Sequence, residues 1–344
     1  MWFCEIIKNL KIDDAMINFL PSWWYRNYGI AYGPDMYFNP DYRVEAYQKM
    51  KAHFYERFGK AMGMEQTAPG PLVIAPDFDN TYFQSMMGFE VRFPADQYPV
   101  AEGCLTQDQR LSLQVPDDLW QVYPFTEVAS QTAYLNEKFK QNRPLLFSTR
   151  GVLNEAVQIC STEFYCDLLD EDMDEETDRV MRFICDVLKQ QLLHNHTQDP
   201  SFMHTMMNCT CGIAGAPVYK QRVFSYDWEI YRFCLEHGIP VALHHCGKFD
   251  DFLDIYGQMT QLRSIDIGHE SAIRPALERF PNAHIRYIIS TNLLNFGSVE
   301  QIRQKAADIL LQCKGHEHRF SVQVPDIEYG MPDENLFALI EALK

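Results

Sequence analysis

Pro240-Val-Ala-Leu-His-His-Cys-Gly-Lys248 is the stretch on which the reading of this chain turns. Its first residues have strand-forming composition, and Gly247 ends the run. Side chains alternate faces along an extended chain, so His244 and Cys246 share one face and His245 takes the other. An imidazole and a thiol in this spacing, at the C-terminal end of a strand, suit a borderline-soft metal such as zinc. A pair alone is not a site, because zinc needs at least one more protein ligand. Without one, Cys246 reads as a small buried hydrophobe and the histidines as core groups with satisfied hydrogen bonds.

The third ligand has candidates one strand earlier. The strand-like run Ser201–Asn208 ends in Cys209-Thr-Cys211-Gly212, again two ligand-type residues ahead of a glycine. One helix, Gln221–His237, separates this run from the central stretch. Consecutive strands of a parallel barrel lie side by side, about 4.8 Å apart. Cys209, Cys211, His244 and Cys246 can therefore converge on one rim, with Zn–S bonds of about 2.3 Å. A thiol-bound zinc with an open position holds an incoming thiol as its nucleophilic thiolate.

The rest of the chain supplies the frame. Strands are expected at Leu72–Asp77, Pro144–Thr149, Leu262–Ile267, His284–Ile289 and Arg319–Val324. The cleanest amphipathic helix runs from Asp174 to Asn195. Ser298-x-x-Gln301 is a capping-box pattern opening a later helix. Repeated strand–helix units imply a parallel sheet, and roughly eight of them a closed (β/α)8 TIM barrel, with its chemistry at the C-terminal strand ends. Residues 1–344 fit one such domain. The aromatic run Phe19-Leu-Pro-Ser-Trp23-Trp24-Tyr25-Arg26-Asn-Tyr28-Gly29 lacks a clear period. It is expected as an irregular part of an N-terminal extension, residues 1–63, packed on the barrel.

The formal net charge of −17 argues against nucleic-acid backbones and anionic membranes as partners. No window approaches an uninterrupted apolar membrane span. Met1-Trp-Phe-Cys-Glu-Ile-Ile has neither a basic start nor a cleavage site, so a secretory leader is not expected. The ten cysteines are scattered, which points to free thiols in a reducing cytoplasm.

With these residues in view, the chain resembles the uroporphyrinogen decarboxylase superfamily, and within it the zinc- and corrinoid-dependent methyltransferases. Those include enzymes that move methyl from a methylcorrinoid protein to coenzyme M. Their zinc motif His-x-Cys-Gly is matched by His244, Cys246 and Gly247. An acidic residue that can join the zinc is matched by Asp266. The resemblance implies a (β/α)8 barrel, bound Zn2+, and methylcobalamin carried by a partner corrinoid protein, since nothing here resembles a cobalamin-binding module.

Two further segments look like the decarboxylase branch. Asp79, in Asp77-Phe-Asp79, falls on an aspartate that contacts the tetrapyrrole there, and Arg26 on the first arginine of Pro-x-Trp-x-x-Arg. Ile30 stands where a second arginine belongs, and Gln158 near the position of a pocket tyrosine. Both departures count against decarboxylation of a polycarboxylate. The methyltransferase match departs too, for Val322-Gln-Val-Pro325-Asp326-Ile holds no cysteine where a further zinc ligand is expected. Either Cys209 or Cys211 replaces it, or Asp326 or Asp266 supplies an oxygen, or no catalytic zinc binds. Neighbouring-strand geometry favours the relocated thiol. The expected roles are catalysis for Asp79 and Asp326, substrate binding for Arg26, Asp79 and Asp266, and metal binding for the four Cys/His residues. A metal-independent lyase and a non-catalytic corrinoid or tetrapyrrole binder are the competing readings.

Overall fold

The computed structural model describes residues 3–65, 78 and 81–344. Its strands are β1 (Cys4–Ile7), β2 (Asp14–Phe19), β3 (Glu90–Arg92), β4 (Val100–Glu102), β5 (His204–Met207), β6 (Val241–His245), β7 (Ser264–Ile267), β8 (His284–Ile288) and β9 (Phe320–Ile327). β3 and β4 form a separate hairpin. The others make one sheet in the order β1-β2-β9-β8-β7-β6-β5, parallel except for the β1–β2 pair. Helices follow β5 to β9 in sequence, as Phe224–Glu236 between β5 and β6 and Val299–Cys313 between β8 and β9 illustrate. This is the expected α/β organisation of the TIM-barrel type.

The sheet has two chemically distinct faces, and the period-2 alternation of its strands writes them. Met206, Leu243, Ile265, Ile285, Tyr287 and Val324 are at most 1% exposed and share a core with helix residues Ile184, Ile230, Leu277 and Ile309. Burying each such side chain is worth about 1.5–3 kcal/mol, so this face fixes the register. The register in turn aligns Met207, His244, Asp266, Arg286 and Ser321 in one row across five strands, on the opposite face. That row carries the polar chemistry.

Three expectations change. Residues 1–63 do not form an extension laid over the barrel, because β2 is itself a strand of the sheet, parallel to β9. Ala15, Ile17 and Phe19 are fully buried along it, a short alternation that the aromatic run beside it hides. That run forms a helix, Pro21–Tyr28, with Pro at its start and Gly29 in the left-handed conformation at its end. Trp23 and Trp24 pack edge-on at 4.8 Å and are 1% and 0% exposed, so they are core.

The expected strand at Pro144–Thr149 makes no ladder. Instead the buried amide of Asn195, on the helix Asp174–Gln198, accepts from Phe147 N–H at 2.9 Å and donates to Phe147 C=O at 2.7 Å. Thr149 Oγ1 meets His204 Nδ1 of β5 at 3.0 Å, so the segment still runs beside the sheet. The strand expected at 72–77 lies outside the described residues. The Ser298–Gln301 capping box is formed as read. No described helix is long and apolar enough to cross a membrane.

Candidate metal centre

Cys209, His244 and Cys246 bring their ligand atoms within 4.8 Å of one another, in a half-buried setting. β6 supplies His244 directly and Cys246 one residue past its end, and the turn after β5 supplies Cys209. A tetrahedral zinc with bonds of about 2.0–2.3 Å needs its donors less than 4 Å apart, so a small contraction completes the set. Donor chemistry points the same way, since two sulfurs and an imidazole are zinc ligands and poor partners for calcium or magnesium.

The imidazole is oriented from behind. His244 Nδ1 lies 2.9 Å from Asp266 Oδ2, which leaves Nε2 to face the thiols. Arg286 Nη1 donates to the other carboxylate oxygen at 3.2 Å. Arg286, Asp266 and His244 thus occupy one row on β8, β7 and β6.

Burial alone would lower the basicity of His244. The hydrogen bond that Nδ1–H donates to Asp266 and the contact with Cys209 outweigh it and lift its pKa to about 10. Cys209 is pushed well below the usual thiol value, first by the hydrogen bond that the Cys246 thiol donates to it, then against burial by His244 and Asn154. Cys246, the donor, is pushed up by that bond, by burial and by Asp326. These directions favour the ion pair of a Cys209 thiolate with a His244 imidazolium in the metal-free chain.

Two close approaches hold the loops. Asn154 Oδ1 accepts from Thr210 N–H at 3.1 Å and Thr210 Oγ1–H at 2.6 Å, anchoring the residue after Cys209. Gly268, just past β7, lies so close to the next loop that a Cβ there would sit 2.1 Å from Cys246 C=O.

Cys211 does not join the cluster. The chain stops being extended after Met207, and Cys211 opens a short helix, Cys211–Ala214. The strand alternation that would pair it with Cys209 therefore does not apply. Its thiol is buried among Asp227 and Tyr256, where desolvation raises its pKa well above the usual value. Asp266 is corrected as well. Both its oxygens are engaged, one by His244 and one by Arg286, so it stands behind the imidazole and outside the cluster of Cys209, His244 and Cys246.

Asp326 lies inside β9, not after it. Between the pairs Ile17↔Val324 and Phe19↔Ile327, β9 has one more residue than β2, and Asp326 takes a φ of 52°. This bulge brings its carboxylate close enough to raise Cys246 electrostatically. Arg26 lines a cleft of about 460 Å³ with Ser22, Asp96, Tyr98, Glu328 and Tyr329. Its guanidinium is 4.0 Å from Asp96 and 5.5 Å from the Tyr329 ring. Asp79 lies outside the described residues. Sequence reading missed Arg286 and Asn154. The alternation His284-Ile-Arg286 in an otherwise apolar strand carried a signal for the first, while nothing marked the second.

The family model described as uroporphyrinogen decarboxylase (URO-D) matches residues 74–344. Among solved structures, the chain is similar to a methyltransferase from Methanosarcina mazei. Identity is 15%, the TM-score is 0.65, and the match covers 98% of this chain and 93% of that one. At this identity the likeness establishes the shared α/β barrel fold. No curated protein matches the sequence.

Proposed function

The chain belongs to the uroporphyrinogen decarboxylase family, and within it we propose that it is a zinc-dependent methyltransferase. In this reading methyl passes between methylcobalamin, carried by a separate corrinoid protein, and a thiol-type or similar acceptor. The observation that carries the reading is the convergence of Cys209, His244 and Cys246 at adjacent strand ends. The M. mazei neighbour, named as a methyltransferase, supports it.

Cys209, His244 and Cys246 would hold the metal, the three-ligand complement typical of catalytic zinc with an open position. Zinc there would supply Lewis acidity that keeps an acceptor thiol ionised at neutral pH. Asp266 presents His244 Nε2, and Arg286 keeps Asp266 in place. Asp326, aimed by its bulge beside Cys246, would take up the proton the acceptor gives away. Arg26, with Tyr329, would orient the acceptor or the corrinoid at the mouth, and a catalytic and substrate-binding role is proposed for Asp79.

The test is elemental analysis of anaerobically purified protein. Wild type and Cys211→Ser should carry about one zinc per chain, and Cys209→Ser and Cys246→Ser should carry none. Zinc-loaded wild type should then methylate small thiols from methylcobalamin. Wild type that binds no zinc after reconstitution sinks the reading, as does activity on a carboxylated substrate that survives exhaustive chelation.

A further inference from the structure

Behind the sheet, on the face away from the metal ligands, lies a fully buried polar cluster with no part in the mechanism above. Asn208, Tyr219, Asp227, His245 and Tyr256 are each 0% exposed. Tyr219 O–H donates to Asp227 Oδ2 at 2.6 Å, and Asn208 Nδ2 donates to the same oxygen at 2.7 Å. Asn208 Nδ2 is also 3.3 Å from the hydroxyl of Tyr256, and that hydroxyl is 3.3 Å from His245 Nδ1.

The sequence positions give this cluster its meaning. Asn208 immediately precedes Cys209, and His245 stands between His244 and Cys246. Alternation along β6 turns His245 away from His244 and Cys246, and Asn208 lies on the same side as His245, where Tyr256 meets both. The backbone joins the segments at one point, Asn208 N–H to His244 C=O at 2.7 Å, where the ladder ends. Beyond it, and apart from the contacts the ligands make with one another, the phenol of Tyr256 touches a side chain of each segment, Asn208 and His245. It is itself held between rings, stacked on Phe249 at 5.6 Å and on Phe252 at 5.7 Å.

We propose that Tyr256 is a positioning residue that clamps the two ligand-bearing segments from behind and fixes the spacing between Cys209 and the His244–Cys246 pair. The inference rests on the metal reading above and deepens it. A thiolate spacing set by one buried hydroxyl loses its reference when the hydroxyl goes, while the apolar packing of the ring remains. Groups hydrogen-bonded to a ligand tune metal affinity by about 10–100-fold, and Tyr256, which acts through the residues next to the ligands, is expected near the lower end of that range.

The experiment titrates Co2+ anaerobically into the full-length chain, reading the thiolate-to-cobalt charge-transfer band and the dissociation constant by chelator competition. Tyr256→Phe should weaken binding at least about tenfold and change the band. Tyr231→Phe, which removes a buried hydroxyl that accepts from Gln261 N–H at 2.9 Å, away from the ligand segments, serves as the control and should change neither. A Tyr256→Phe protein with wild-type affinity and spectrum overturns the clamp and leaves the metal centre standing. So does an affinity loss no greater than that of Tyr231→Phe. Wild type that shows no charge-transfer band overturns the metal reading and the clamp with it.

Discussion

Gly268→Ala offers a direct measure of how tightly the centre is set. The alanine Cβ would lie 2.1 Å from Cys246 O, 2.3 Å from Gly247 O and 2.6 Å from Cys246 C. Ordinary contact begins at 3.4 Å, so the two segments must separate by about 1.3 Å (3.4 − 2.1). All three obstructing atoms are backbone, so no side chain can swing aside. If the loop after β6 gives way, Cys246 moves off its partners. If β7 gives way, Asp266 retreats from His244, now 2.9 Å away. The ligand atoms, within 4.8 Å of one another, must already draw together to hold zinc, so either outcome, which moves them apart, should weaken zinc binding by roughly 100-fold, about 2.7 kcal/mol. The overpacking should itself cost about 1–3 kcal/mol of stability. Gly297→Ala is the control, since its Cβ meets Leu293 O at 2.4 Å outside the segments that carry the ligands. It should lose stability and keep its affinity. The assay is chelator competition for zinc beside a thermal melt. A Gly268→Ala protein that binds zinc like wild type would refute the claim that the approach of these loops sets the ligand geometry.

Asn195→Leu removes the side chain that takes the place of a ladder at Phe147. Two buried backbone groups lose their partners at about 1–3 kcal/mol each, so urea denaturation should show a loss of several kcal/mol; less than about 1 kcal/mol would mean that solvent or another strand satisfies them. Asp227 predicts a pH effect. Burial raises its pKa from 3.8 to about 6, against the hydrogen bonds from Tyr219 and Asn208. Its contribution is thus fully present below pH 3.8 and lost as pH rises through about 6. The loss amounts to roughly 3 kcal/mol. Relative to Asp227→Asn, wild type should lose stability between pH 4 and 7 by about that amount, and parallel stability curves for the two proteins would exclude it.

Much of the frame was legible because its signals are local. Hydrophobic strands end in glycine, helices between them keep their period, and Ser298 with Gln301 marks a helix start that the structure reproduces. His244 and Cys246 were legible for the same reason, being two residues apart on one strand. Cys211 misled because alternation holds only while the chain stays extended, and the helix at Cys211 begins before the pattern can repeat. Asp266 was read as a possible ligand because sequence gives its face and not its partner. Only the register His244↔Asp266↔Arg286 shows that both its oxygens are engaged. The missing ladder at Phe147 depends on Asn195, 48 residues away, and no local pattern reports a contact at that separation.

The charges across the sheet bear on which chemistry the centre suits. Running from β8 to the turn after β5, Arg286, Asp266, His244 and Cys209 alternate in sign when His244 is protonated and Cys209 ionised. With Cys246 kept as a thiol, the row sums to zero, which lets so many ionisable groups share a half-buried site without a large desolvation cost. A divalent cation that displaces the protons of His244 and Cys246 leaves the sum at zero again. The row is therefore neutral in that protonation state and neutral again with zinc, and the groups that would hold zinc are already gathered. A polycarboxylate substrate would need a surplus of cations. Arg286 is instead neutralised by Asp266, and Arg26 shares its cleft with Asp96 and Glu328. This balance favours a small acceptor brought to sulfur-held zinc over a tetrapyrrole held by its carboxylates.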